Sequence, residues 1–375
     1  MNRIAAQVSA LRTAAILAAC LVVVPPASLA ADAGWDKLAP FFKPPAEFAN
    51  DFGSFKPPLV FDEGRPVKSA ADWEQRRREI LTHWHKLMGP WPPLLAKPRV
   101  EIIESKPRET FTQHRVRVEV AAGRLEPGFI LVPPGKGPFP AVLVPYYNPE
   151  TSIGLTNALR DFALQLTRRG FVTLSIGSPG GDARLPDPQR PQWQPLSFLA
   201  FVAANCCTAL AQRPDVDPRR IGVVGHSYGG KWAMFASSLH EGFACAVWSD
   251  GGIVWDEKRP NVNFWEPWYL GRDASLARKP GVPTESNPRT GAYKELVATG
   301  RDLHELHALM APRPFLVSGG SEDQPERWRA LNHSIAVNAL LGQTNRVAMT
   351  NRKAHSPTEE SNEQLYLFFE HFLKR

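Results

Sequence analysis

The sequence predicts an α/β protein, with a mostly parallel central sheet and helices on both of its faces. The first observation is that short apolar runs alternate with helical patterns from about residue 139 onward. The runs are "PAVLVPYY", "FVTLSIG", "RIGVVGH", "ACAVWSD", "RPFLVSGG" and "NRVAMT", and the helices are predicted near 155–168, 194–212, 229–240, 302–310, 326–341 and 359–373. Strands that alternate with helices are typical of a parallel sheet. The second observation is a chain of 375 residues, which is long enough for one large domain.

Residues 1–30 have the features of a cleavable signal peptide. Arg3 and Arg12 give a basic start, "TAAILAACLVVV" is apolar, and "ASLA" offers a small-residue cleavage site. The apolar run is short for a membrane span, and Pro25 and Pro26 interrupt it. "LAAC", ending at Cys20, is also similar to a lipoprotein signal, but the apolar run continues beyond it. We therefore expect a secreted or periplasmic protein without a membrane span, and lipoprotein anchoring is the less favoured alternative.

Residues 31–100 are predicted to form an N-terminal arm and a helix that packs on the core. The arm is rich in Pro, Phe and Gly, and "SAADWEQRRREILTHWHKLMGPWPP" then predicts a helix capped by Ser69. Its apolar face consists of Trp73, Ile80, Trp84 and Leu87. The segments "RVEIIES", "QHRVRVEV" and "EPGFILVPP" predict an antiparallel sheet edge at the start of a catalytic domain over residues 101–375. A Trp- and Pro-rich insertion occupies about 251–300.

Charge and cysteine content exclude several classes of function. The chain has 44 Lys and Arg against 37 Asp and Glu, a diffuse excess without a basic stripe, so nucleic-acid binding is not expected. Cys206 and Cys207 fall on a predicted helix and Cys245 on a predicted strand, so either a disulfide to Cys245 or buried free thiols would fit. No C-x-x-C pair occurs, and His304-Glu-Leu-His307 is one residue short of the zinc motif H-E-x-x-H. We predict no metal and no other cofactor.

The stretch "RRIGVVGHSYGGKWAM" contains the strongest functional signal. Gly225, Ser227 and Gly229 fit G-x-S-x-G between a predicted strand and a predicted helix. This is the nucleophile elbow of the α/β-hydrolase fold, in which a strained turn exposes a serine hydroxyl. Ser227 is therefore the predicted nucleophile.

A serine nucleophile needs a histidine base and an acid, which follow it in that fold in the order acid, then histidine. His355 lies on the predicted loop between the last strand and the C-terminal helix, so it is the expected base. Asp323, on the loop after "PFLVSGG", is the favoured acid. Asp250, at the end of the preceding strand, is the alternative.

Two backbone groups are expected to form the oxyanion hole. One is the N–H of Tyr228, the residue after the nucleophile. The other is expected from the loop after "AVLVPYY", as the N–H of Tyr147 or of Tyr146.

Two longer stretches resemble known carbohydrate esterases. "DLHELHALMAPRPFLVSGGSED" resembles the glucuronoyl esterases, and "DWEQRRREILTHWHKLMGPWPP" resembles secreted acetyl xylan esterase-like proteins. The resemblance implies that Lys231 contacts a sugar, whereas Tyr228 stands where that family has an arginine that assists the oxyanion. Members of the family place the acid at either of two positions, which Asp250 and Asp323 match. Tryptophan faces stack on sugar rings, and Trp265, within "NFWEPWYLG", is a further candidate substrate contact.

The sequence thus favours a secreted serine ester hydrolase that acts on an acetyl or glucuronoyl ester of plant polysaccharide. One alternative is a serine peptidase of the prolyl oligopeptidase kind. Another is a catalytically inactive homologue that binds carbohydrate. The oligomeric state stays open.

Overall fold

A single nine-stranded sheet organises the chain, of which the computed structural model describes residues 33–258, 269–276, 279 and 281–374. The predicted signal peptide and Trp265 lie outside these residues. The strands are β1 (Val100–Arg108), β2 (Phe111–Ala121), β3 (Arg124–Val132), β4 (Phe139–Pro145), β5 (Val172–Ile176), β6 (Val216–His226), β7 (Cys245–Ser249), β8 (Phe315–Gly319) and β9 (Val347–Asn351). Their order across the sheet is β1-β2-β3-β5-β4-β6-β7-β8-β9.

The sheet is antiparallel at one edge and parallel elsewhere. β1, β2, β3 and β5 pair antiparallel in that order, whereas β5, β4, β6, β7, β8 and β9 run parallel. The predicted antiparallel edge and the α/β-hydrolase fold are confirmed. Because the carboxyl ends of parallel strands meet at one edge of a sheet, the segments that follow β4, β6, β7, β8 and β9 can build one site there.

Helices cover both faces of the sheet, as predicted. They are α1 (Ala33–Leu38), α2 (Ala70–Met88), α3 (Pro149–Ser152), α4 (Phe162–Arg168), α5 (Pro195–Ala211), α6 (Tyr228–Leu239), α7 (Gly291–Ala298), α8 (His304–Leu309), α9 (Trp328–Leu340) and α10 (Glu359–Leu373). Successive strand residues point to opposite faces, so Val223 joins the apolar cluster beneath α5 and α6, and Val224 joins the one beneath α4 and α10. None of the helices in the described part of the chain has the length and apolar character needed to cross a membrane.

The helix predicted over 155–168 begins only at Phe162. Gly154 and Leu159 have φ angles of 75° and 64°, in the left-handed region, which a right-handed helix cannot contain. The segment between α3 and α4 is therefore a loop, and it lies at the same sheet edge as the other strand-to-helix connections.

The N-terminal helix α2 packs on the core as its sequence predicts. Ser69 accepts a hydrogen bond from the N–H of Asp72 at 3.1 Å and caps the helix. Trp73, Ile80 and Trp84 are buried, whereas Leu87 is half-buried and Met88 is buried instead. The Trp84 indole N–H donates to Glu305 on α8 at 2.9 Å.

The three cysteines of the described chain are free and buried. They are Cys206, Cys207 and Cys245. Burial raises the thiol pKa of Cys207 to about 12, so its reactive thiolate form is rare near neutral pH. Of the two alternatives left open by the sequence, the structure has the buried free thiols.

Candidate active site

Ser227 stands on the sharp turn between β6 and α6. Its φ and ψ angles are 58° and −123°, a strained conformation for a residue with a side chain. The turn leaves no room for side chains at its flanking glycines. A Cβ atom on Gly229 would lie 2.5 Å from the carbonyl oxygen of Pro145, and one on Gly225 would collide with the Gly229 backbone. The predicted elbow is confirmed as a structural feature.

His355 connects the serine to a carboxylate. Its Nε2 lies 2.8 Å from Ser227 Oγ, and its Nδ1 lies 2.7 Å from Asp250 Oδ2. An ionised carboxylate only accepts hydrogen bonds, so the Nδ1 proton is donated to Asp250 and Nε2 accepts the proton of the serine hydroxyl. Hydroxyl, imidazole and carboxylate thus form one continuous hydrogen-bonded chain.

The carboxylate on His355 is Asp250, so the prediction that favoured Asp323 for this contact is wrong. Asp250 directly follows β7 and has a φ of 51°. Its second oxygen accepts hydrogen bonds from the backbone N–H groups of Gly320 at 2.7 Å, Glu322 at 3.1 Å and Asp323 at 3.0 Å. The loop after β8 therefore wraps around Asp250 and supplies donors to it, instead of supplying the carboxylate itself.

The Asp323 side chain anchors the chain that follows Asp250. It accepts hydrogen bonds from the N–H groups of Gly252 at 3.0 Å and Ile253 at 2.7 Å. Complete burial, followed by the nearby charge of Asp250, raises the pKa of Asp323 to about 6. Asp323 is thus placed to hold the loop that carries Asp250.

Tyr147 approaches the serine with its side chain. Its hydroxyl hydrogen-bonds to the Ser227 side chain, and partial burial raises the pKa of Tyr147 to about 12, so the hydroxyl keeps its proton near neutral pH. The sequence predicts a backbone N–H from this loop, that of Tyr147 or Tyr146. The N–H of Tyr146, the other alternative, donates to the carbonyl of Ile176 at 3.1 Å and is part of the sheet.

Tyr228 is the first residue of α6. The first N–H groups of a helix have no acceptor within it, so the predicted oxyanion role of the Tyr228 N–H fits its position. Its side chain is buried, with the hydroxyl 3.1 Å from that of Ser178 and the ring 4.7 Å from the ring of Tyr147. Tyr228 thus packs against the tyrosine that reaches the serine.

The His226 ring packs against the imidazole of His355. The two ring centroids are 4.7 Å apart, and His226 Nδ1 lies 3.2 Å from the hydroxyl oxygen of Ser249. Burial, followed by the charge of His355, lowers the pKa of His226 well below its usual value. His226 is therefore a neutral packing partner near neutral pH.

Arg352, which no motif in the sequence singles out, fixes the loop that carries His355. Its guanidinium donates to the carbonyl oxygens of Ser318 at 2.8 Å, His355 at 2.7 Å and Ser356 at 2.9 Å. Its position three residues before His355 is the only local sequence signal for this role. Two of the acceptors, His355 and Ser356, lie on the same loop as Arg352 itself. The third, Ser318, is on β8, which only the folded chain brings near.

Lys231 lies one helical turn after the nucleophile and is buried, with 4% of its surface exposed. Its Nζ is 5.9 Å from the ring centroid of Trp255, within range of a cation–π contact. Trp248, in the same Trp-rich stretch, is a core residue that stacks on Phe315 at 4.4 Å. The predicted contact at Trp265 falls outside the described residues.

His304 and His307, the near match to a zinc motif, lie buried in α8. His304 Nε2 is 2.6 Å from the carbonyl oxygen of Lys56, which ties α8 to the N-terminal arm. Across the described residues, no group of three or more His, Cys, Asp or Glu side chains is arranged to hold a metal ion.

Residues 164–325 match the model of the prolyl oligopeptidase family, a segment that includes the elbow, Asp250 and Asp323. The curated carbohydrate esterase MZ0003, from an unknown prokaryotic organism, is 25% identical over 147 residues. That match covers 36% of this chain and 30% of the other protein, so the chain corresponds to less than a third of its curated relative.

Solved structures of carbohydrate esterases resemble the whole domain. The glucuronoyl esterase from Solibacter usitatus has a TM-score of 0.68 at 18% identity, over 85% of this chain and 97% of that one. A Bacteroides fragilis protein provisionally assigned as an acetyl xylan esterase has a TM-score of 0.56 at 15% identity, over 83% of this chain and 79% of that one. The resemblance seen in the sequence is confirmed, and at these identities it is a likeness of fold.

Proposed function

We propose that this α/β-hydrolase is a secreted serine ester hydrolase that acts on acetyl or glucuronoyl esters of plant polysaccharide through an acyl-enzyme. The observation that carries the proposal is the unbroken hydrogen-bonded chain from Ser227 through His355 to Asp250. Secretion rests on the signal-peptide pattern of residues 1–30.

In the first half of the reaction, Ser227 Oγ attacks the ester carbonyl while His355 Nε2 takes the hydroxyl proton. The Asp250 carboxylate holds the imidazole in the tautomer that can accept this proton and stabilises the imidazolium that forms. The tetrahedral intermediate carries its negative charge on the former carbonyl oxygen, which the Tyr147 hydroxyl and the Tyr228 N–H would stabilise. His355 then gives its proton to the leaving alcohol, and the acyl group remains on Ser227.

In the second half, water replaces the alcohol. His355 takes a proton from the water, the resulting hydroxide attacks the acyl carbonyl, and the same donors stabilise the second intermediate. The proton returns to Ser227 Oγ as the carboxylic acid leaves. No group beyond those described is needed to balance the two steps.

A substrate panel tests this function. The secreted protein should hydrolyse para-nitrophenyl acetate and at least one of acetylated xylan and methyl-glucuronate esters, and a fluorophosphonate should label Ser227. Failure on every ester together with tight oligosaccharide binding and no labelling would instead support an inactive carbohydrate-binding protein.

A serine peptidase of the prolyl oligopeptidase kind is the second candidate, because the family model matches residues 164–325. Those peptidases carry an N-terminal propeller made of many four-stranded blades. Ahead of β4, the described chain has the helices α1 and α2 and the three strands β1, β2 and β3, which belong to the central sheet. Cleavage of proline-containing peptides as fast as of esters would favour this candidate over the esterase.

The Tyr147 hydroxyl can be tested by its removal. We expect Tyr147→Phe to lower kcat about 100-fold, since loss of one oxyanion donor costs about 10²–10³, while KM for para-nitrophenyl acetate changes little. Tyr146→Phe, a change to the neighbouring tyrosine, is the matched control and should have a much smaller effect. If both variants lose activity equally, Tyr147 acts in packing and not as a donor.

Lys231 is proposed to contact hydroxyl or carboxylate oxygens of the sugar. Its position near the positive end of the α6 dipole is unfavourable for a cation, so helix stability does not explain it. Lys231→Met should raise KM for a carbohydrate ester by about tenfold and leave KM for para-nitrophenyl acetate nearly unchanged, because only the sugar uses the ammonium group. Lys294→Met, a change to an exposed lysine on α7, is the control, and Tm values should be compared because Lys231 is buried. Equal changes in KM for both substrates would mean that Lys231 is structural.

A further inference from the structure

Arg160 lies on the loop between α3 and α4, beside the proposed active site. Its Nη2 is 3.5 Å from the hydroxyl oxygen of Ser356, the residue next to His355. The guanidinium also contacts the Tyr146 hydroxyl, and Tyr146 precedes the tyrosine that reaches the serine. Arg160 therefore stands between the segment that carries the base and the segment that carries an oxyanion donor.

Arg160 is a partly exposed cation whose hydrogen bond at Ser356 is to a hydroxyl, and no carboxylate in the described part of the chain forms an ion pair with it. The adjacent Asp161 accepts a hydrogen bond from Gln165 at 2.7 Å instead. The positive charge of Arg160 acts at the proposed active site, since it contributes to lowering the pKa of His226. A guanidinium has five N–H donors. The hydroxyl groups of Ser356 and Tyr146 engage two of those of Arg160, so the other N–H groups can bind an anion.

Arg352 provides a useful contrast. It is also partly exposed, but its guanidinium donates to several backbone carbonyl oxygens, including those of Ser318 and His355. These contacts explain Arg352 as a structural clamp. Within the described residues Arg160 has no comparable set of carbonyl partners, although it reaches Ser356 on the loop that carries Arg352.

The backbone before Arg160 is strained. Leu159 has a φ of 64°, which is unusual for a large side chain, and its carbonyl is held by the Asn362 side chain of α10 at 2.9 Å. Ser227 and Asp250, in the proposed catalytic chain, also have positive φ angles. Strained residues of this kind cluster at active sites and ligand clamps. The hydrogen bond from Asn362 holds the backbone immediately before Arg160.

We propose that Arg160 binds a carboxylate that the ester substrate carries beside its scissile bond. A guanidinium pairs with a carboxylate through two parallel N–H···O bonds, and a partly exposed site at the rim allows the substrate to provide the anion. The inference rests on the proposed esterase function and adds a preference for acidic esters. The carboxylate can be on the alcohol side or on the acyl side of the ester, and the experiment separates the two.

Two matched substrate pairs measure this preference. The first pair is para-nitrophenyl acetate and its ring-carboxylated derivative, in which the leaving alcohol is anionic. The second pair is para-nitrophenyl hexanoate and the mono-para-nitrophenyl ester of adipic acid, in which the acyl group is anionic. The measured quantity is the ratio of kcat/KM for the anionic ester to kcat/KM for the neutral one. Intrinsic differences in ester reactivity cancel when this ratio is compared between variants.

In at least one pair, the ratio should fall about three- to tenfold in both Arg160→Met and Arg160→Gln. It should also fall in the unmodified protein as ionic strength rises, because salt screens a partly exposed ion pair. This second measurement needs no variant and holds even if a substitution disturbs folding. Arg115→Met, a change to an exposed arginine on β2, should leave the ratio unaltered.

Ratios that do not change with residue 160 or with salt, in both pairs, would overturn the inference and leave the esterase proposal intact. An equal loss on neutral and anionic esters would likewise overturn it, since Arg160 would then only position the His355 loop. If the unmodified protein hydrolyses none of the four esters, the proposed function itself fails.

Discussion

Replacement of Ser227 by alanine is expected to lower kcat for para-nitrophenyl acetate by about 10⁵- to 10⁶-fold. The reason is that the variant has no nucleophile for acyl transfer, and the remaining oxyanion donors and binding contacts supply only a small part of the catalysis. Steady-state kinetics at high enzyme concentration would measure the loss. The Ser227 hydroxyl lies at the turn that starts α6, so Tm should change little.

The control for this experiment is Ser286→Ala, a change to an exposed serine in the insertion. It should keep full activity and full labelling by a fluorophosphonate, whereas Ser227→Ala should lose both. An active and labelled Ser227→Ala variant would contradict the acyl-enzyme mechanism at this serine.

Replacement of Asp250 by asparagine is expected to lower kcat by about 10⁴-fold. The amide would stabilise the wrong tautomer of His355, with the proton on Nε2, where the serine proton must be accepted. KM should change far less than kcat. Asp250 is buried and contacts the imidazole of His355 at 2.7 Å, so it does not contact the substrate directly.

Asp323→Asn is the matched comparison, because it makes the same change in the neighbouring carboxylate. The Asp323 side chain accepts hydrogen bonds from Gly252 and Ile253, whereas the imidazole contacts Asp250, so we expect a lower Tm and a fall in kcat of about tenfold or less. If Asp323→Asn instead loses more activity than Asp250→Asn, then Asp323, and not Asp250, is the carboxylate that orients His355.

The elbow and the contact between His355 and Ser227 could be predicted because their signals are local or follow chain order. The glycines around Ser227 indicate a tight turn, because a side chain at either position would collide with neighbouring backbone atoms. The apolar patterns on either side predict the strand and the helix. His355 follows from its place between the last strand and the last helix. Neither prediction needs knowledge of which side chains meet across the sheet.

The choice between Asp250 and Asp323 could not be made in this way. Both follow neighbouring parallel strands, β7 and β8, so both reach the same edge of the sheet. The decision depends on how the loop after β8 folds, since its backbone N–H groups turn toward Asp250 and the Asp323 carboxylate turns toward Gly252 and Ile253.

The sequence by itself thus determined the hydrolase fold, the strained turn at Ser227 and the position of His355, because periodicity, glycine requirements and strand order are properties of short segments. Only the tertiary structure decided which carboxylate contacts His355, the approach of the Tyr147 hydroxyl and the placement of Arg160 and Arg352. These depend on the directions of side chains and loop backbones from segments far apart in sequence. Such directions are set by packing and by the need of buried polar groups for partners, and both exist only once the chain has folded.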